Sequence, residues 1–362
     1  MNESIDLVGL LGLAVQHQAS DLHLHVGSPP LLRIHGVLNP VGEGVIDAET
    51  SRYLIFSVLT EAQRMQCEQN LELDFALNVP NVGRFRGNVH YARGSVEAVF
   101  RYISQKIPAV ESLGHRPSLI ELCKREEGLV LITGMTGSGK TTTMAAMVQH
   151  ISSLRSGVII TIEDPIEYIF PDNLCIVKQR EVGQDTKSFA SGLRQIIKQD
   201  PDVIVVGEMG DRDTMQIALT AAETGHLVIG TLHTIDAANA VHRIVDFFPP
   251  DHQNQIITQL ASSLAGVVSQ RLLPRADGKG RVMASETLIV NSGVQACIRD
   301  RKIHQLPGLM EIGGQEGMNT LDQSLENLVK NNLITYDEAL IHARDPERIP
   351  QPPPPKKKGI FG

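Results

Sequence analysis

GLVLITGMTGSGKTTTM, residues 128–144, runs an apolar segment into a glycine-rich turn that ends in Lys-Thr-Thr. Gly134, Gly139, Lys140 and Thr141 keep the G-x-x-x-x-G-K-[ST] spacing of a phosphate-binding loop. Its context is the required one: Leu129 to Ile132 reads as a short buried strand, and Thr142 to His150 as a helix. Glycines let the backbone curl so that successive N–H groups converge on a polyphosphate, and the helix opening near Lys140 adds the positive end of its dipole. Gly134, Met135, Thr136, Gly137, Ser138, Gly139, Lys140, Thr141 and Thr142 are therefore the nucleotide-binding candidates. Within them Lys140 supplies a charge for the β and γ phosphates, and the Thr141 hydroxyl is placed to ligate Mg²⁺.

The 362 residues suffice for two domains and a well-buried core. With 42% apolar residues, 20% charged and a mean hydropathy of -0.05, the composition is that of ordinary soluble globular proteins. A net charge of -8 argues against a strand-tracking groove, which neutralises phosphates with lysine and arginine, so no nucleic acid is expected. Cys67, Cys123, Cys175 and Cys297 are scattered and form no C-x-x-C pair, the pattern of reduced cytosolic thiols. No apolar run reaches membrane-spanning length. Leu7 to Val15 follows Glu3 and Asp6, so it reads as an amphipathic helix and not a signal peptide.

Beyond that helix, ASDLHLHVGSPPLLRIHGVLNPV alternates, with Leu22, Leu24 and Val26 on one side and Asp21, His23 and His25 on the other, predicting two strands. Ala48 to Asn70 reads as helical, and Leu73 to Ile103 returns to strands. Residues 1–105 thus form a small α+β domain, and 106–125, punctuated by Pro108, Gly114 and Pro117, a linker. Residues 126–348 carry the nucleotide domain. In it, Leu129 to Ile132, Val158 to Ile162, Val203 to Val206 and Leu227 to Leu232 are unbroken apolar runs of parallel-sheet type, separated by helices, which predicts a doubly wound α/β fold. Asp251 to Ser269 reads as one long helix, with two more over Asn319 to Lys330 and Thr335 to Ala343. The end, 349–362, holds four consecutive prolines and three lysines and reads as an extended tail.

Hydrolysis needs a group that positions water. DPDVIVVGEM ends a strand in Gly207-Glu208, placing Glu208 at the carboxyl end where such sheets bind ligands, so Glu208 is the candidate base. TIEDPIE puts Glu163 and Asp164 at a second strand end of the same sheet. AAETGHLVIGTLHT has His226 before a strand and His233 after it; seven residues apart across a strand, they make a poor zinc pair. His233, at the carboxyl end, is placed to touch the γ-phosphate or Glu208.

In order and spacing, GMTGSGKTTT, TIEDPIE, QREVGQDTKSF, DPDVIVVGEM and AAETGHLVIGTLHT resemble the secretion ATPase superfamily. ASDLHL, the pair RFR and VFR, and GMNTLDQSL make the chain similar to the type IV pilus retraction ATPases of the PilT or PilU kind. The resemblance implies a PAS-like domain preceding a RecA-like P-loop NTPase domain, a homohexamer, ATP and Mg²⁺ as ligands, and a cytoplasmic motor at the inner-membrane pilus base, working on a platform protein and beside a paralogous ATPase. It implies Glu208 as catalytic glutamate, Glu163, His226 and His233 as acidic and histidine boxes, and Arg84, Arg86 and Arg101 as arginines that reach a nucleotide across domains or subunits. Two positions depart from the pattern. Gly210 stands where many relatives have arginine, and VQACIRD at 294–300 replaces an AIRNLIRE-like stretch, with Gln295 for its first arginine. A nucleotide-gated accessory subunit and a nucleic-acid translocase on the same core are the alternatives.

Overall fold

The computed structural model describes residues 6–34, 36–42, 44–103, 106–171 and 173–351. Most of the expected Pro-Lys tail, 352–362, and residues 104–105 before the expected linker lie outside them. The chain divides into two compact units, Met1–Ile107 with Asp164–Phe170, and Pro108–Glu163 with Pro171–Gly362.

The first unit runs α1 (Leu7–Gln16), β1 (Asp21–Leu24), β2 (Leu31–Ile34), β3 (Val37–Pro40), α2 (Ala48–Ser57), α3 (Glu61–Asn70), β4 (Glu72–Val79), β5 (Gly83–Ala92) and β6 (Ser95–Ile103). Its antiparallel sheet has the order β3-β2-β1-β6-β5-β4. Alternation decides the faces: Leu22, Leu24, Phe85, Val89 and Phe100 join Leu7, Leu11, Leu54 and Ile55 of the helices in one core. The helix expected over 48–70 is two helices. Thr60 breaks the run by opening α3 with a capping box to Gln63, a signal present in the sequence as T-x-x-Q.

The second unit contains α4 (Ser118–Cys123), β7 (Gly128–Thr133), α5 (Lys140–Leu154), β8 (Gly157–Glu163), β9 (Cys175–Glu181), α6 (Phe189–Ile196), β10 (Val203–Val206), α7 (Arg212–Glu223), β11 (Leu227–Leu232), α8 (Ala237–Asp246), α9 (Gln253–Ser263), β12 (Leu264–Pro274), β13 (Arg281–Ile289), α10 (Ser292–Arg299), α11 (Leu306–Ile312), α12 (Leu321–Lys330) and α13 (Tyr336–His342). The sheet order is β13-β12-β7-β11-β10-β8-β9, parallel except for β13. Every residue of β7 is buried, as a strand covered on both faces must be. Leu129 and Leu131 point into the core shared with α6 to α10, while α5 packs on the sheet through Met144, Met147 and Ile151.

The helix expected over 251–269 is corrected. Its helical part stops at Ser263, whose hydroxyl turns back to the Gln259 carbonyl (2.8 Å), and Leu264 leaves in extended geometry. Val267 and Val268 then enter a central strand between β7 and β13. Gly266 is needed there, since a Cβ would stand 3.0 Å from the Leu288 carbonyl oxygen.

Candidate functional site

Three glycines shape the turn between β7 and α5. Gly134, Gly137 and Gly139 have φ of +146°, +79° and +92°, all in the region where side chains are strained. A Cβ on Gly134 would also lie 2.5 Å from the Gln270 carbonyl oxygen, so the turn is pressed against β12 at its first residue. Lys140 opens α5 and folds back over the turn, donating to the carbonyls of Gly134 (2.8 Å) and Met135 (3.2 Å). Burial pulls the Lys140 ammonium below its ordinary pKa, against the opposing attraction of Glu208.

Register puts the acids beside this turn. β10 lies between β8 and β11, with Val206 opposite Ile162, so Gly207 and Glu208 leave the sheet level with Glu163. Gly207 passes close to β8: its N–H donates to Ile162 O (2.7 Å), and a Cβ would lie 3.0 Å from that oxygen. Thr231 on β11 ties the same residue from the other side, its hydroxyl donating to Gly207 O. Glu208 is thereby held at the strand end with its side chain about half exposed, Oε1 standing 3.6 Å from His233 Nε2. His233 Nδ1 lies 3.5 Å from Lys140 Nζ. Lys140, His233 and Glu208 are consequently neighbours in one cleft at the carboxyl end of the sheet.

Glu163 is a different kind of acid. It is 4% exposed and accepts from Thr161 Oγ1 (2.7 Å) and Gln179 Nε2 (3.0 Å), so its carboxylate is fixed by β8 and β9. His226 is not brought to Lys140. It precedes β11, its carbonyl accepts from Gly128 N, and its ring lies 3.0 Å from Ala221 O, at the amino end of a strand about 20 Å long.

The arginines belong to the first unit. Arg84 and Arg86 of β5 share a face with Arg101 of β6, which pairs with Arg86 in register. Segment 164–170, which continues from Glu163, belongs to this unit: Arg84 donates to Ile166 O (2.8 Å), and Arg86 lies 3.9 Å from Glu167. Arg101 donates to Asp21 (2.8 Å) and is still 70% exposed.

Sequence reading missed Gln270, because β12 was hidden in an expected helix. Its amide donates to Ser138 O (2.8 Å), bracing the turn, while Gln270 Oε1, Ser138 Oγ and Thr234 Oγ1 are buried without a partner among the described residues. Such orphaned polar atoms around a curled glycine turn fit a polyphosphate with its ion and water. Of the two departures, Gly210 leaves room beside Glu208, whose Oε1 would lie 3.3 Å from an added Cβ. Gln295 stands on α10, which buries Val294 and Ile298.

A glycine turn feeding a helix from the centre of a parallel sheet, with an acid on a nearby strand end, defines a P-loop nucleotide-binding protein. A family model narrows the class, matching residues 10–332. The chain belongs to the type II/IV secretion system protein family. It is 41% identical to the type IV pilus retraction ATPase PilT of Pseudomonas aeruginosa, over 95% of this chain and 100% of that one. To the type IV pilus ATPase PilU of the same organism it is 41% identical, over 92% of this chain and 87% of that protein. A crystal structure of the pilus retraction motor PilT with bound ADP superposes with a TM-score of 0.88 at 46% identity, covering 95% of this chain and 98% of the other. The fold class and the family expected from the sequence motifs are borne out.

Proposed function

We propose that this protein is an ATP-hydrolysing motor that powers type IV pilus retraction as a homohexamer. The observation that carries the reading is the cleft in which Lys140, His233 and Glu208 stand together beside the glycine turn. The turn's N–H groups and the α5 dipole hold the β and γ phosphates, and Lys140 exchanges its two carbonyl partners for phosphate oxygens. The Thr141 hydroxyl is the protein's ligand for Mg²⁺, which when bound neutralises charge on those oxygens. Glu208 orients a water for in-line attack on the γ-phosphorus and accepts its proton. His233, within reach of Glu208 and Lys140, senses whether the γ-phosphate is present and relays this to α8.

Arg84, Arg86 and Arg101 act on a nucleotide from the N-terminal unit, within a domain division of 1–105, 106–125 and 126–348. A closed ring turns successive hydrolysis events into work on an inner-membrane platform protein at the pilus base, with a paralogous ATPase as a further partner. The PilT and PilU relatives support this assignment. Deleting the gene tests it. Cells should stay piliated but stop retracting, with rescue by wild type and none by Lys140→Ala; unimpaired retraction in the deletion would overturn the proposal.

A further inference from the structure

A second concavity in the nucleotide unit lies between the turn at residues 114–117 and α12, closed on one side by β13. It has a volume of about 530 Å³ and is lined by His115, Arg116, Ser285, Asn319, Gln323 and Asn327, among others. That volume is in the range of small-molecule sites. Two of its lining side chains are incomplete. Asn319 is 2% exposed and spends its amide N–H groups on the Ser285 and Thr320 carbonyls (2.6 and 3.0 Å), which leaves Oδ1 buried without a donor. His115 Nδ1 is also buried and without a partner, while Nε2 lies 3.2 Å from Thr143 Oγ1. Buried polar atoms normally have partners, so two orphans on one pocket point to a ligand that supplies them.

The chemistry of the lining selects the ligand. Burial pushes the His115 imidazole down to about 4, so it is neutral at physiological pH and suits an uncharged group better than a phosphate. A Thr143 hydroxyl donating to Nε2 leaves the ring proton on Nδ1. The pocket then offers one buried acceptor, Asn319 Oδ1, and one buried donor, His115 Nδ1–H. Adenine presents the complement on one edge, an amino donor beside the N7 acceptor, whereas guanine presents two acceptors there. Thr143 stands in the first turn of α5, three residues after Lys140, so the pocket opens about one helical turn from the phosphate lysine.

We propose that this pocket binds an adenine ring, with Asn319 accepting from its amino group and His115 donating to its N7. Two sources share that chemistry. As the base of the nucleotide on the glycine turn, the site rests on the proposed ATPase function and sets its base specificity; as a site for a separate adenine nucleoside, it does not.

The test compares kcat/KM for ATP and GTP in the full-length protein and titrates adenosine, which lacks phosphates. Wild type should favour ATP by about 10-fold or more, and His115→Phe and Asn319→Leu should each reduce that ratio at least about fivefold. His115→Phe keeps the test usable if Asn319→Leu, which removes a bond to β13, fails to fold. Adenosine that competes with Mg-ADP assigns the pocket to the bound nucleotide's base; adenosine that binds the ADP-saturated protein, weakened by His115→Phe, assigns it to a second molecule. Equal use of ATP and GTP by wild type and both variants, with adenosine binding absent or insensitive to His115→Phe, overturns the proposal while leaving hydrolysis intact. Should neither triphosphate be hydrolysed, the adenosine titration still judges the pocket.

Discussion

Two glycines of the same turn should respond very differently to one added methyl group. At Gly137, φ is +79° and an added Cβ meets nothing within 4 Å, so alanine there costs about 1–2 kcal/mol of backbone strain. At Gly134, φ is +146° and the Cβ would lie 2.5 Å from both Gln270 O and Ser138 Oγ. The Ser138 hydroxyl can rotate away, but Gln270 O belongs to central strand β12, so the turn itself must give. Relief to the 3.0 Å below which real contacts essentially never fall needs a displacement of 0.5 Å at the point where the phosphates bind. Strain of about 1–3 kcal/mol and overpacking of about 1–3 kcal/mol together give ~2–6 kcal/mol. Taken from binding, this is a loss of about 30-fold to 10⁴-fold in Mg-ADP affinity for Gly134→Ala, against about 5- to 30-fold for Gly137→Ala. Fluorescence titration with a labelled ADP measures both, and circular dichroism checks that each variant is folded. If folded Gly134→Ala bound ADP within twofold of Gly137→Ala, the turn would not be the phosphate cradle described.

His115 gives a pH signature. Its pKa drops from 6.5 to about 4 on folding, so the unfolded chain binds the extra proton. The stabilisation is complete above 6.5 and is lost as pH falls toward 4, about 3 kcal/mol at most; urea midpoints at pH 7 and 4.5 should differ less in His115→Asn than in wild type. Arg344 stands 3.0 Å from Glu286, 2% exposed, and 3.1 Å from Asp236, so Arg344→Met leaves buried acid uncompensated. Being 37% exposed, Arg344 should be worth about 2–3 kcal/mol, below the ~3–5 kcal/mol of a fully enclosed pair, read as a fall in thermal midpoint. Arg101→Ala should cut phosphate release by about 10³-fold or more if it reaches a nucleotide, while unchanged turnover would return Arg101 to a strand residue paired with Asp21.

Much of the nucleotide unit was legible because its strands are buried on both faces. Val203 to Val206 and Leu227 to Leu232 are the observed strands to the residue, and β7 and β8 extend the expected runs by a residue at each end. An unbroken apolar run between turn residues has few other fates. The same property concealed β12: the run begun by Ile256, Ile257 and Leu260 of α9 continues through Ala265 and Val267, and no proline or charge marks the change of period. Gln270 went unseen with it. Glu208 and His233 could be read because strand direction alone puts them at carboxyl ends, and the same logic puts His226 at an amino end. The membership of residues 164–170 in the N-terminal unit depends on where Ile166 O and Glu167 meet Arg84 and Arg86, a tertiary event with no local periodicity.

The account stands most directly on steady-state phosphate release by the purified protein with Mg-ATP, measured for wild type and Glu208→Gln alongside nucleotide affinity. Glu208→Gln should keep its affinity for ATP and lose about 10² to 10⁴ in turnover, because only the group that holds the attacking water is changed. Equal turnover in the two proteins would contradict the assignment of that carboxylate.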